Sequence, residues 1–343
     1  MLKGDIMGKK LRIGLIGAGR IGKLHINNLT NRVPDAEVVA ISDVNFEGAK
    51  KLAEAYGVTK VYDDYNRILE DPDVDAVFVC SSTDTHSEIS LAAAKAKKNI
   101  FCEKPIDHDI AKIKAVLDEV KKAGVKYQVG FNRRFDRNFK HVHEVVADGG
   151  IGDVQIVKVT SRDPEAPPVS YVKVSGGIYV DMTIHDFDMV RYLSGSEVTE
   201  VSAVGTCLID PEIGKAGDVD TCIITLKFAN GALGVIDNSR QAAYGYDQRI
   251  EVFGSKGQIM ADNETANNTT LYTSEGVYKE KPLFFFLERY NEAFIEEEKE
   301  FVDACLNDKD TPVGAFDGLQ PVLIAIAAQK SSDLGGVPVK VGE

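Results

Sequence analysis

The chain has 343 residues, long for one typical core and short for three, so two domains are expected. A net charge of -13 with no basic stripe excludes a nucleic-acid surface, which has to neutralise phosphates. Apolar runs such as "DAVFVC" and "LIAIAA" fall far short of the ~20 residues a bilayer crossing needs, and "MLKGDIMGKK" does not read as an export signal, so no membrane association is expected.

From Leu11 onward, short β-branched apolar runs alternate with helical patterns near residues 20–30, 45–56, 84–97 and 107–123. The strand candidates are "LRIGLIG", "EVVAISD", "AVFVCS", "NIFCEKP" and "YQVGF". Strands apolar on both faces with helices between them predict a parallel, doubly wound α/β domain of the Rossmann type over residues 1–130. Where the first strand gives way to a helix stands "GAGRIG", a complete G-x-G-x-x-G. Gly17 permits the tight turn, Gly19 lets the backbone approach a pyrophosphate, and Gly22 lets the helix pack on the strand. Ala18, Arg20 and Ile21 complete the loop, and the helix terminus offers N–H groups and positive dipole to phosphates.

Asp43 ends the second strand about 20 residues after the glycines, where a carboxylate accepts hydrogen bonds from a ribose. A 2′-phosphate would meet like charge there, and Val44 and Asn45 offer no cation, so NAD is expected rather than NADP. The next polar clusters fall at the carboxyl edge of the sheet, where such folds bind ligands. In "CSSTDTH", Ser81, Ser82, Thr83 and His86 are candidates to lie along the cofactor, and Thr83 or Asp84 could instead cap a helix. In "EKP", Glu103 and Lys104 fall near the expected nicotinamide.

After "GFNRRFD" the pattern changes. "VQIVKVTSR", "EVTEVSAVGT", "TCIITLKF", "ALGVIDNSR" and "QRIEVFG" read as strands without alternating helices, and Asn230-Gly231 signals a hairpin. Residues 131–343 are therefore expected to form an α+β domain with a mainly antiparallel open sheet and a helix over 181–193 on one face. Further helices are expected near 286–308 and 316–331. In "DMTIHDFDM", Asp181, His185 and Asp188 are spaced i, i+4 and i+7, one stripe on a continuous helix. Val180 and Ile184 flank it on one side and Met182 and Met189 on the other, closer confinement than a plain solvent face needs.

Cys80, Cys102, Cys207, Cys222 and Cys305 are odd in number and never spaced CxxC, which reads as free thiols in a reducing cytoplasm. Zinc could be held by Asp and His at i, i+4, but His185 has no obvious further ligand beside it, and no metal is expected.

"GAGRIG", "ISD", "EKP", "VGFNRRFD" and "GGIYVDMTIHDFDM", in this order, resemble the NAD(P)-dependent oxidoreductases that include glucose-fructose oxidoreductase and inositol dehydrogenase. The resemblance covers nearly the whole chain, and "SRDPEAPP" followed by "SGGIYVDMTIHDFDM" is most similar to inositol 2-dehydrogenases. It implies oxidation of a secondary hydroxyl of a cyclic polyol, myo-inositol to the 2-keto inosose, with hydride passing to NAD. His185 would then be the general base, a role that suits an ordinary pKa near about 6.5. Asp181 would orient the imidazole, and Lys104 would stabilise developing negative charge at the substrate hydroxyl. Arg133, Asp163, Asp188 and Tyr246 match positions that bind substrate hydroxyls.

The resemblance also implies a homo-oligomer, commonly a tetramer, and a cis Lys104-Pro105 bond that could turn the lysine toward the cofactor. Ser161 and Asp163 depart from the histidine and asparagine found in some inositol dehydrogenases, which bears on the choice of inositol isomer or other polyol. Two further readings stay open beside a dehydrogenase. One is a glycosidase that takes and returns hydride on a bound NAD, and the other is a non-catalytic NAD sensor, which would not need Lys104, Asp181 and His185 together.

Overall fold

A computed structural model describes residues 9–343. By its contacts the chain divides into two compact units. The first comprises residues up to Asn132 together with Phe294–Leu319, and the second Arg133–Ala293 together with Gln320–Glu343.

In the first unit the elements run β1 (Leu11–Ile16), α1 (Arg20–Arg32), β2 (Ala36–Ser42), α2 (Phe46–Tyr56), β3 (Lys60–Tyr62), α3 (Asn66–Leu69), β4 (Ala76–Val79), α4 (Thr83–Lys95), β5 (Asn99–Cys102), α5 (Ile110–Ala123) and β6 (Tyr127–Val129). The six strands form one parallel sheet in the order β3-β2-β1-β4-β5-β6. Strand order reverses between β1 and β4, and the ligand crevice of such sheets opens at that switch. Local chemistry sets the helix ends. Asn45 and Asp109 cap α2 and α5 by accepting from Gly48 and Ala111 N–H groups, and Gly57 and Gly124 end the same helices in the left-handed region.

The contacts divide the chain between Asn132 and Arg133, where a boundary at 130/131 is expected, and they also return Phe294–Leu319 to the first unit. That return has an apolar cause. Phe301 and Val302 are buried with Leu15, Ile26, Phe78 and Phe101, and Phe78 stacks on Phe101 with ring centroids 4.5 Å apart. Each such side chain removed from water contributes about 1.5–3 kcal/mol.

The second unit contains α6 (Arg137–Ala147), β7 (Val154–Arg162), α7 (Val169–Ser175), α8 (Gly177–Asp181), α9 (Ile184–Ser194), β8 (Val198–Thr206), α10 (Pro211–Lys215), β9 (Thr221–Phe228), β10 (Leu233–Ser239), β11 (Asp247–Gly254) and β12 (Gly257–Ala261). A separate hairpin, β13 (Thr270–Thr273) with β14 (Gly276–Lys279), and α11 (Phe286–Arg289) follow; α12 (Asn291–Leu306) falls mostly in the first unit, α13 (Ala315–Asp333) begins there and ends in the second, and β15 (Val339–Lys340) belongs to the second. Seven strands form an open sheet, β12-β11-β7-β10-β9-β8-β15, in which only β7 and β10 pair in parallel. Asn230-Gly231 makes the β9–β10 turn, with Gly231 at φ +90°. One face of the sheet is covered, and the other exposes Val204, Ile223, Leu233, Phe253 and Met260.

The expected single helix over 181–193 is two helices. Thr183 interrupts it, because its hydroxyl donates to Asn238 Oδ1 at 2.6 Å and reaches back to the Ile178 carbonyl at 3.1 Å. A threonine that bonds a neighbouring strand and the preceding turn offers the backbone an alternative to the helical ladder. Asp181 therefore ends α8 while His185 lies in the first turn of α9, and the stripe is not continuous.

Candidate active site

In the first unit, the loop between β1 and α1 has the form a dinucleotide requires. Gly17 adopts φ +103°, and a Cβ there would lie 2.5 Å from the Cys80 backbone. A Cβ on Gly22 would lie 2.0 Å from the Gly17 carbonyl oxygen, whereas one on Gly19 would meet nothing within 4 Å. Gly19 caps α1 without a side chain, so no side chain competes for the first-turn N–H groups. Asp43 closes the loop from β2, accepting from Ala18 N–H at 2.6 Å and Asn45 N–H at 2.7 Å. Each carboxylate oxygen keeps a lone pair for a ribose hydroxyl. These features fit a bound NAD.

The polar clusters after β4 and β5 sort differently. Ser82 is the N-cap of α4, and Ser81 Oγ lies 2.7 Å from Thr85 Oγ1. Both His86 ring nitrogens meet backbone carbonyls, Nδ1 that of Pro105 at 2.8 Å and Nε2 that of Ser81 at 3.1 Å. Burial disfavours the charged ring, but Cys102 and these two carbonyls outweigh it and push the pKa up to about 9. His86 thus ties the two loops together through both ring nitrogens.

Glu103 is likewise turned inward, to a buried cluster. Its Oε1 lies 2.8 Å from His25 Nε2, and His25 Nδ1 lies 2.7 Å from Glu298 Oε1. Burial opposes a charged His25, yet Glu103 and Glu298 overcome it and raise its pKa to about 10. Glu297 completes the cluster, and among the described residues its carboxylate has no hydrogen-bond partner. Ligand-capable atoms of His25, Glu103 and Glu297 lie within 4.8 Å of one another, but both His25 nitrogens are already paired with carboxylates. Lys104 follows, half-buried, and Lys104-Pro105 is cis.

The second unit brings together the other candidates. Arg133 is buried, with Nη1 2.6 Å from Asp186 Oδ1 and Nη2 3.4 Å from the Tyr246 hydroxyl. Ser161 Oγ lies 3.4 Å from the same guanidinium and within 3.1 Å of the Gln248 amide. Asp163 sits 3.8 Å from Arg240, and burial pushes its carboxyl up to about 6 against the pull of that guanidinium. Asp181 accepts from the Tyr171 hydroxyl at 2.7 Å and from Arg240 Nη1 at 3.1 Å. His185, next in the chain to Asp186, is half-buried. Such a cluster mixes a cation, carboxylates and hydroxyls, the groups that fix a polyhydroxylated ring.

Asp188 is placed otherwise. Its two oxygens take a bidentate bond from Arg134, at 2.8 and 2.6 Å, and the side chain is 1% exposed. Asp186, two residues earlier, is the carboxylate that meets Arg133, while Asn238 Nδ2 donates to its other oxygen at 2.8 Å. Burial raises the Asp186 pKa, with Arg133 and Asn238 opposing. Sequence reasoning missed Asp186, Asn238 and Arg240. "HDFD" presents two aspartates, and the phase of a helix restarted at Ile184 decides between them.

Two family models match the chain: the oxidoreductase family with NAD-binding Rossmann fold over residues 11–131, and the GFO/IDH/MocA C-terminal domain over residues 139–260. The chain is 53% identical over 321 residues to the myo-inositol 2-dehydrogenase of Thermotoga maritima, covering 94% of this chain and 96% of that one. A solved structure of a probable dehydrogenase from Thermotoga maritima superposes with a TM-score of 0.94 at 52% identity, over 96% of this chain and 99% of that one. The scyllo-inositol dehydrogenase of Lactobacillus casei, solved with NAD(H) and scyllo-inositol, matches with a TM-score of 0.91 at 32% identity, over 98% of this chain and all of that one (100%).

Proposed function

Because this chain belongs to the GFO/IDH/MocA family of NAD-dependent oxidoreductases, we propose that it oxidises myo-inositol at its 2-hydroxyl to the 2-keto inosose. The observation that supports this reading is the polar cluster of the second unit, in which Arg133 meets Tyr246 while Arg240 meets Asp163 and Asp181.

When bound, NAD supplies a nicotinamide carbon that accepts hydride. The residues of the chain manage the proton and the orientation. His185 takes the hydroxyl proton as the carbon loses hydride, and Asp181 orients the imidazole and offsets the charge it gains. Lys104 stabilises negative charge developing on the substrate oxygen. Arg133, Asp163 and Tyr246 hold the remaining hydroxyls, Asp163 being able to donate or accept near neutrality because burial has raised its pKa to about 6. Asp43 favours NAD over NADP, since its carboxylate already accepts from the loop and would repel a 2′-phosphate.

The open sheet face that exposes Val204, Ile223, Leu233, Phe253 and Met260 supports assembly of copies, as a homotetramer. All five cysteines are free thiols, which suits a cytoplasmic enzyme. No helix among the described residues is long and apolar enough to cross a membrane. A panel of inositol isomers and sugars with NAD, read as NADH absorbance, tests the function. The highest kcat/KM should fall on myo-inositol, and absence of NADH with every polyol would refute the reading.

A further inference from the structure

We propose that Arg240 is the positioning residue of the acid–base pair, clamping the short helix that carries Asp181 from both of its ends. The inference rests on the functional reading above, and it concerns a residue to which that reading gives no role. Arg240 follows β10, where its backbone N–H donates to the Asp220 carbonyl at 2.8 Å. Its anchor is firm, because the Asp220 carboxylate in turn accepts from the Leu208, Ile209 and Asp210 N–H groups.

From this anchor the guanidinium, 3% exposed, reaches Asp181, the last residue of α8, and Asp218, whose carboxylate meets the first turn of α8. Nη1 lies 3.1 Å from Asp181 Oδ2 at the C-terminal end. Nη2 faces Asp218 Oδ2 across 3.9 Å, and Asp218 Oδ1 accepts from the Ile178 N–H at 2.9 Å, at the N-terminal end. The clamp is needed because α8 has little to hold itself. It has only five residues, Gly176 before it and Gly177 at its start both have positive φ, and Thr183 interrupts the helix two residues after it. An isolated turn of this length does not persist without tertiary support.

Arg240 is also the cation shared by three carboxylates, since Asp163 Oδ2 lies 3.8 Å from Nη1. The shortest of these contacts is to Asp181, which receives the Tyr171 hydroxyl as well. A buried cation and a neutral hydroxyl donor thus both bear on the direction of the Asp181 carboxylate. A planar fork suits this task because it can address two aspartates from fixed angles, which a lysine ammonium does not match.

The test measures polyol-dependent NADH formation, NAD affinity and thermal midpoint for the full-length wild type and for Arg240→Met, Arg240→Lys and Tyr171→Phe. Arg240→Met should lower kcat on the order of 10²-fold, with a smaller change in polyol KM and NAD affinity within about twofold. Arg240→Lys should recover part of that loss, as charge without the fork. Tyr171→Phe removes one bond from a residue 46% exposed and should lower kcat several-fold, about threefold to tenfold, at unchanged midpoint. Wild-type kcat in a folded Arg240→Met protein overturns the inference and leaves the functional reading standing. If Arg240→Met does not fold, the other two variants decide, and wild-type kcat in both overturns it. A wild type inert toward every polyol overturns the reading, and the inference falls with it.

Discussion

Replacing His25 by Gln should destabilise the protein while sparing the groups that bind substrate. His25 is fully buried, and its two ring nitrogens meet Glu298 and Glu103 at 2.7 and 2.8 Å. Removing the imidazolium leaves two buried carboxylates without their cation, a loss of about 3–5 kcal/mol when one partner of a buried pair is deleted. At about 2–4 °C per kcal/mol for a unit of this size, the thermal midpoint at pH 7 should fall by roughly 10 °C. The wild type should show the same cluster in its pH dependence. His25 is raised from 6.5 to about 10, so its contribution is fully present below pH 6.5 and is lost as pH rises toward 10. Glu298 is raised from 4.5 to about 7 by burial, so its protonated form also favours the fold at low pH, and that contribution is lost between 4.5 and 7. Both act in one direction, and the midpoint should decline steadily from about pH 5 to pH 10. Differential scanning fluorimetry across that range measures both effects. A wild-type midpoint flat over those pH values, with a His25→Gln midpoint within about 2 °C of it, would contradict the assignment of a charged His25.

Glu297→Gln should raise the midpoint above pH 7, because burial pushes the Glu297 carboxyl well above its usual range and the amide needs no proton to stay neutral. Asp43→Ala should weaken NAD by about 1.5–3 kcal/mol, on the order of tenfold to a hundredfold in Kd by titration calorimetry, and unchanged affinity would remove Asp43 from the site. His185→Ala should lose roughly 10²–10⁴ in kcat with NAD affinity and midpoint near wild type, whereas wild-type turnover in the folded variant would end the general-base assignment. Asp188→Asn should lower the midpoint, by leaving Arg134 half-paired, more than it alters polyol KM. The opposite ranking would return Asp188 to the substrate wall.

Much of this organisation could be read from residue order because the signals were local. A glycine loop between a strand and a helix, and a carboxylate at the end of the next strand, need only a few neighbouring residues to be recognised, and β1, α1 and β2 stand where they require. The errors arose where a distant partner decides. Nothing near Thr183 announces that Asn238, 55 residues on, will draw its hydroxyl out of the helix. His86 and Glu103 looked suited to a cofactor because they sit at the sheet edge, but the Pro105 and Ser81 carbonyls meet the His86 ring nitrogens and His25 meets a Glu103 oxygen. Arg240 was invisible for the same reason, as its partners are Asp181 at the end of α8 and Asp218 in the loop before β9.

The most direct test uses myo-inositol carrying deuterium at C2, with NAD and the wild-type protein, followed by mass analysis of both products. Direct hydride transfer predicts one deuterium in the reduced nicotinamide for each 2-keto inosose formed. Reduced cofactor without the label, or turnover of a glycoside that releases sugar with no net NADH, would contradict it.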